Sequence, residues 1–360
     1  MKHPFGEKLL HWYRHNKRVL PWRGSRDPYK IWLSEILLQQ TRVKQGLAYY
    51  QRFTEAFPDI FSLAKAPPQQ VYKLWQGLGY YNRADNLMKT ARIIVSDFQG
   101  RFPGDFATLK SLPGIGDYTA AAIASLAFDK PHAVVDGNVY RVLARFFGVE
   151  TPINTGKGKK EFTALAQKLL EGYPPAQFNQ ALMEFGALHC VPRHPDCRHC
   201  IFNAECFAGS SGRQAAFPAK KKKAAMGRRF YYYFVLQLEQ NGTRYVYLRK
   251  RTGRDIWRNL YDFPAVETDV ALGDPLDSLA VAQKSGRLHG VAFSAGSPSA
   301  AFRQQLTHLH VTAFFIPVFL QKPLPEEAKN SLSLVQENQL SNYPVPRLIA
   351  RYLQDVKRIK

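Results

Sequence analysis

The sequence predicts two domains of different class, an all-α domain with a helix–hairpin–helix element followed by an α+β domain. Three observations carry this. Up to about residue 210, helical segments follow one another with Gly or Pro between them and without strand alternation. All four cysteines fall between residues 190 and 206. Near residue 210 the composition changes, and strand-like segments follow. The 360 residues suffice for two domains of roughly 150 each. With 45% hydrophobic and 22% charged residues, the chain is globular rather than disordered.

The elements follow in order. The amino terminus, Met1 to Lys8, is polar and broken by Pro4. Asp27-Pro28 pairs an N-cap with Pro at the first helical position, so a helix over Tyr29–Gln40 is expected. A second helix runs from Val43 toward Phe57 and stops at Pro58. Others span Val71–Leu78, Asn82–Phe98, Thr119–Phe128, Asn138–Phe147, Lys160–Glu171 and Asn179–Leu188. Gly209-Ser210-Ser211-Gly212 breaks the pattern. Lys220–Lys223 and Arg228-Arg229 then make a basic linker. Strands are expected over Arg229–Leu238, Thr243–Arg249 and Val311–Leu320, and a last helix over Pro346–Val356. The domains are therefore placed at 1–212 and 230–360, with a linker at 213–229. No internal repeat is present.

Fifty Lys and Arg against 28 Asp and Glu give a formal net charge of +22. That excess favours a polyanion, nucleic acid or an acidic membrane surface. The longest apolar stretch, Val311–Leu320, contains Pro317 and falls short of the ~20 residues a membrane helix needs. The first residues lack the apolar core of a signal peptide. A soluble, cytoplasmic protein is expected, nucleoid-associated in a bacterium, working as a monomer without membrane contact.

Cys190-x6-Cys197-x2-Cys200-x5-Cys206 puts four thiols within seventeen residues. A disulfide framework would scatter them. Structural zinc sites use two CxxC knuckles with a long spacer, whereas one CxxC flanked by single cysteines suits the corners of a [4Fe–4S] cube better. Arg193, His194, Arg198 and His199 make this loop basic. Leu112-Pro113-Gly114-Ile115-Gly116 lies between helical segments. Gly114 and Gly116 permit a tight hairpin whose N–H groups, with the following helix start, seat a phosphate; the bland reading is a helix–helix turn. Glu35 has Ile31, Trp32, Leu38 and Gln39 at helical spacing. Loss of solvation there raises a carboxyl pKa toward that of a general acid, unless Glu35 lies at an exposed helix edge. Asp136, in Val135-Asp136-Gly137-Asn138-Val139, reads as an N-cap. The same donors would keep it ionised. One carboxyl pushed up and one pushed down is the pattern of glycosidic chemistry through a cationic sugar.

Read in order, SEILLQQT (34–41), GLGYYNRA (77–84), LPGIGDYTA (112–120), VDGNV (135–139), FNQALMEFG (178–186) and the four cysteines resemble the adenine DNA glycosylases, the MutY family of the endonuclease III-like helix–hairpin–helix superfamily. The resemblance covers nearly all of the first 210 residues. It implies base excision repair by a monofunctional enzyme hydrolysing the N-glycosidic bond of adenine mispaired with 8-oxoguanine or guanine in double-stranded DNA. It implies that Glu35 protonates adenine N7 and later helps activate water, that Asp136 stabilises the cationic sugar, and that Asn138 supports that site. Trp22, Arg23 and Gln180 match positions lining the adenine pocket, and Gln40 and Tyr80 match residues that wedge into the duplex when the base is flipped. The cysteines would hold a [4Fe–4S] cofactor. Tyr118 stands where the glycosylase–lyases carry the Lys that attacks the sugar.

The second part resembles the family's Nudix-like (MutT-like) domain through the basic linker, WRNLYDFP (257–264) and LTHLH (306–310). Thr307 and His308 match residues placed near the lesion base, while Gln304 and Leu306 depart from the commoner His and Phe. No REx2EExG metal box is present, so lesion reading is expected and pyrophosphate hydrolysis is not. Two rivals are an oxidised-pyrimidine glycosylase–lyase of the endonuclease III type, opposed by Tyr118, and a non-catalytic iron–sulfur DNA-binding or electron-transfer protein, opposed by the Glu35/Asp136 pair.

Overall fold

The structure, a computed structural model, describes residues 3–222, 226–253, 255–284, 288, 291–306, 308–325 and 332–359. The chain divides into two compact units, Met1–Ala66 with Asp85–Lys223, and Pro67–Ala84 with Ala224–Lys360. Its helices begin with α1 (Pro4–Asn16), α2 (Pro28–Leu38), α3 (Val43–Ala56), α4 (Ile60–Lys65), α5 (Pro68–Trp75) and α6 (Asn82–Phe98). They continue with α7 (Phe106–Ser111), α8 (Asp117–Phe128), α9 (Gly137–Phe147), α10 (Gly156–Leu170), α11 (Pro175–Leu188) and the short α12 (Phe207–Ser210).

Pro4 starts a helix rather than breaking one. It occupies the first turn of α1, where its missing N–H costs nothing, and the His3 side chain accepts from the Phe5 N–H. Asp27 caps α2 in the same way, accepting from the Tyr29 N–H. α2 stops at Leu38, before the expected Gln40, because Gln40 adopts a left-handed backbone with φ of 57°. α1, α9, α10 and α11 share one core, which buries Phe5, Leu9, Val142, Phe162, Phe178 and Phe185.

The second unit is built on a mixed eight-stranded sheet. Its strands are β1 (Gly227–Gln240), β2 (Thr243–Lys250), β3 (Tyr261–Asp262), β4 (Ala265–Thr268), β5 (Phe293–Ala295), β6 (Phe302–Gln305), β7 (Leu309–Leu320) and β8 (Leu332–Gln336). β1 runs parallel to β7, with Tyr231 opposite Ala313, and antiparallel to β2 and β4. Along β1, Tyr231, Tyr233 and Val235 enter one core and Tyr232, Phe234 and Leu236 the other, so both faces are covered. Between β4 and β5, α13 (Asp277–Lys284) contributes Ala282 to the second of these cores. The terminal helix α14 (Arg347–Ile359) covers the first with Leu348, Ile349 and Tyr352. The 67–84 segment joins this unit: Gln69 Nε2 donates to Asn342 O at 3.2 Å, and Asn259 Nδ2 donates to the Tyr72 hydroxyl at 3.0 Å. Among the described residues, no helix is long and apolar enough to cross a membrane.

Candidate active site

A cavity of about 250 Å³ opens in the first unit, and Trp22, Arg23, Glu35, Tyr118, Asp136, Asn138 and Gln180 all line it. Residues from four regions distant in sequence thus meet at one place.

Glu35 sits near the end of α2, flanked by the buried Ser34 and Ile36. Burial, the largest influence, pushes its carboxyl up to about 7. The charge of Asp136 adds to the rise, while the hydrogen bond from Tyr118 and the charge of Arg23 oppose it. Tyr118, the second residue of α8, is partly buried in the cavity rather than an exposed helix-start residue. Its hydroxyl also approaches Met183 Sδ at 3.7 Å. Burial and the two carboxylates hold that phenol well above its usual range.

Asp136 is the N-cap of α9. Its Oδ1 accepts from the backbone N–H groups of Asn138 (2.8 Å) and Val139 (2.7 Å), and its Oδ2 accepts from Asn138 Nδ2 at 2.8 Å. Its environment corrects one expectation. Burial raises this carboxyl too, outweighing the three donors and Arg141, so Glu35 and Asp136 are not one raised and one lowered acid. What differs is the bonding: Asp136 is wrapped in donors that favour its anion.

Sequence reasoning passed over Arg18 and Glu184, which also line the cavity. Glu184 is fully buried. It accepts from Arg18 Nε at 2.9 Å and Arg18 Nη2 at 2.5 Å, and from Arg23 Nη1 at 2.5 Å and Nη2 at 2.6 Å. Burial raises this carboxyl, but the two guanidiniums outweigh it and bring it down to about 2. The available signal was its spacing of four from Gln180 on α11, amid apolar neighbours. The Tyr13 hydroxyl donates to Gln180 Oε1 at 2.8 Å, leaving the Gln180 amide N–H₂ as its donor end. Trp22 is buried edge-on against Tyr50, with ring centroids 5.1 Å apart.

The Leu112–Gly116 hairpin joins α7 to α8. Gly114 has φ of +77°, and a Cβ there would come within 2.7 Å of Asn86 Cβ, so only glycine fits. A Cβ on Gly116 would meet nothing within 4 Å, so no packing demands glycine there and the space above it is open. Both glycines are exposed.

Cys190, Cys197, Cys200 and Cys206 line one pocket and form no disulfide. Among the described residues no group of three or more His, Cys, Asp or Glu is spaced to hold a single metal ion. Donors nevertheless converge on the sulfurs: Phe202 N–H on Cys200 Sγ at 3.4 Å, Arg145 Nη1 on Cys190 Sγ at 3.5 Å and Gln214 Nε2 on Cys197 Sγ at 3.8 Å. Burial pushes the Cys200 thiol up to about 11 and raises Cys206 as well. Four half-buried thiols around one pocket, two of them costly to ionise alone and three accepting from nearby donors, fit a metal-bound thiolate set. Arg141 spans from this loop to the cavity: its Nε donates to Cys190 O at 2.8 Å and its Nη2 to Asn138 Oδ1 at 2.8 Å.

The remaining candidates stand apart from the cavity's lining. Gln40 is exposed. Tyr80 belongs to the second unit, is 47% exposed and has φ of 48°. His308 is exposed at the tip of the β6–β7 hairpin, which Leu306 N–H closes by donating to Leu309 O at 2.8 Å. Thr307 lies outside the described residues.

Comparison with known proteins finds two families along the chain. Residues 33–171 match the family described as HhH-GPD superfamily base excision DNA repair protein, and residues 232–355 match the NUDIX domain. The chain is 37% identical over 267 residues to an adenine DNA glycosylase of Buchnera aphidicola subsp. Schizaphis graminum, covering 74% of this chain and 76% of the relative. It is 42% identical over 226 residues to that of Rattus norvegicus, covering 59% and 44%. Among solved structures, a thermostable thymine-DNA glycosylase aligns with a TM-score of 0.53 at 35% identity, over 57% of this chain and 95% of that one. A trapped endonuclease III–DNA covalent intermediate aligns with a TM-score of 0.51 at 22% identity, over 57% and 94%, a likeness of fold.

Proposed function

The chain belongs to the adenine DNA glycosylase family, and we propose that its cavity receives an adenine flipped from a duplex in which it opposes 8-oxoguanine or guanine. The family's activity, excision of adenine by a DNA N-glycosylase in base excision repair, is the activity of this chain, and DNA is its partner. Flipping is required because a stacked, paired adenine presents neither N7 nor its glycosidic bond to a protein acid.

The observation that carries the chemistry is Glu35, raised to about 7 beside Asp136 in one cavity. Near neutrality Glu35 holds a proton for part of the time and gives it to adenine N7, making the base a leaving group. As the bond breaks, positive charge develops on the sugar. Asp136, kept in place by its helix-start donors and Asn138 Nδ2, lies in the cavity to stabilise it. Glu35, now ionised, takes the proton of the attacking water. Tyr118 offers a phenol hydrogen-bonded to Glu35 and no amine, so water is the final nucleophile. Trp22, Arg23 and Gln180 hold the base, and Gly114 and Gly116 bring backbone N–H groups to a phosphate.

Cys190, Cys197, Cys200 and Cys206 are the residues that would hold a [4Fe–4S] cluster, whose contribution when bound is to fix the loop bearing Arg193, His194, Arg198 and His199 for DNA contact. Gln40 and Tyr80 serve as wedges; both side chains are exposed, on left-handed backbones. His308, with Thr307, reads the base opposite. A single-turnover assay on duplexes with adenine opposite 8-oxoguanine, guanine or thymine tests the whole reading. Excision from the first two and not the third is the expected result; release of an oxidised pyrimidine instead overturns it.

A further inference from the structure

We propose that His189 donates a hydrogen bond from Nε2 to a sulfur of the cluster held by the four cysteines, and so sets its reduction potential. The inference rests on the reading that these cysteines hold a [4Fe–4S] cluster, and assigns a role to a neighbouring side chain. His189 lines the same pocket as Cys190, Cys197, Cys200 and Cys206. Its Nε2 is buried and has no hydrogen-bond partner in the protein. An orphaned buried nitrogen is costly unless something satisfies it.

The ring is fixed before any cluster binds. It stacks on Phe185 at 5.2 Å between centroids and meets Trp12 edge-on at 6.4 Å. His189 is also the residue at which α11 ends, and its N–H donates to Phe185 O at 2.9 Å. Aromatic cover on the ring, with one ring nitrogen left over in a pocket of thiols, presets a donor in the tautomer that carries its proton on Nε2. The ring also hydrogen-bonds to the Asp196 backbone, and the Asp196 carboxylate and the His199 side chain act on it, while Nε2 keeps no partner in the protein. Hydrogen bonds to cluster sulfurs stabilise the more negative oxidation state and raise the potential.

The test uses the full-length protein as purified. Iron and acid-labile sulfide are measured first, and four of each per chain are expected from the cube's stoichiometry. A colourless protein with one zinc overturns the cluster reading, and with it this proposal. In the iron-loaded protein, the cluster's potential on mismatch DNA is then compared with that of His189→Phe, which keeps the stacking, and of His189→Gln, whose amide places a donor near Nε2. His189→Phe is expected to lower the ratio of reduced to oxidised cluster about tenfold at a fixed applied potential, about 59 mV for one electron. His189→Gln recovers most of it. A His189→Phe protein with the wild-type potential overturns the role of His189 while the iron assay upholds the cluster. Should His189→Phe fail to fold, wild-type protein labelled with ¹⁵N in its imidazoles decides: nitrogen hyperfine coupling to the paramagnetic cluster is expected, and its absence overturns the proposal.

Discussion

Asn138 Nδ2 donates to Asp136 Oδ2 at 2.8 Å while its own Oδ1 accepts from Arg141 Nη2, also at 2.8 Å. The arginine therefore decides which way the amide faces, and the amide decides how Asp136 is solvated. A hydrogen bond to a charged group contributes about 1.5–3 kcal/mol, so Asn138→Leu should slow single-turnover excision by roughly 10- to 100-fold. Because Asn138 is one of the groups holding Asp136 down against burial, its loss raises the Asp136 carboxyl further. The acid limb of the pH–rate profile should move to higher pH. A slower enzyme with an unmoved profile would separate Asn138 from the ionisation of Asp136.

Glu35 makes a prediction of both rate and stability. Its carboxyl is raised to about 7, so wild-type excision should fall as pH rises above that value. Glu35→Gln should bind mismatch DNA yet lose excision by at least the ~10²–10⁴ that proton transfer supplies. The stability effect has a definite sign. Between an unfolded value near 4.5 and the folded value of about 7, the native state binds more protons, so stability declines as pH rises through that window. Glu35→Gln has no such cost. The melting temperature of the variant should therefore gain on wild type between pH 5 and pH 8, and parallel curves would count against the raised carboxyl.

Glu184 is the counterion of two guanidiniums that face the cavity, Arg18 and Arg23. Removing one member of a buried ion pair costs about 3–5 kcal/mol because it leaves charge uncompensated. Glu184→Ala should lower thermal stability clearly and raise KM for mismatch DNA, since Arg23 loses the bidentate contact that orients it. Glu184→Gln keeps the shape and half of the bonding, and should fall between. A Glu184→Ala protein as stable as wild type would mean the guanidiniums find other partners.

Most of the longer helices were legible because their signals are local: Asp27-Pro28, Asp136 and the hairpin glycines announce themselves within a few residues, whereas the short α4, α7, α12 and α13 carry too few residues to show a period. The buried middle of β1 was legible as well, from its run of aromatic and aliphatic residues. α1 was not, because Pro4 reads as a breaker unless one knows that it sits in the first helical turn. Glu35 was legible from an apolar face. Its environment was not, since Tyr118 and Arg23 reach it only through the fold. Asp136 shows the limit most plainly: the sequence announces its donors, but burial is a property of everything packed around them.

Tyr118 predicts the product. With a phenol hydrogen-bonded to Glu35 and no amine at that position, the expected product is an intact abasic strand, nicked only by alkali or heat. Borohydride should not trap wild-type protein on DNA through this site. Tyr118→Lys should gain some trapping, since the helix start that carries residue 118 already points it into the cavity. Its acid catalysis should weaken at the same time, because Glu35 would face an ammonium in place of a phenol and be drawn toward its anion. Efficient trapping of wild type would reject water as the final nucleophile.

His308 is best tested by a point substitution in the whole chain rather than by truncation. The 67–84 segment is counted with the second unit and bonds to Asn342 and Asn259 within it. A chain cut near Gly227 would strip that segment of its partners, so lost activity could reflect damage there and not lost lesion reading. His308 stands exposed at a hairpin tip, and its backbone C=O accepts from Gly227 N–H at 3.1 Å, so replacing the side chain leaves the hairpin's bonding in place. If His308 reads the opposite base, His308→Ala should reduce the preference for 8-oxoguanine over guanine by roughly 5- to 100-fold, the worth of a base contact of about 1–3 kcal/mol. If the domain supplies only basic surface, affinity for the two mismatches should fall by one common factor. Measuring both affinities across a salt series separates the cases: an altered ratio at constant salt slope supports reading, and a constant ratio rejects it.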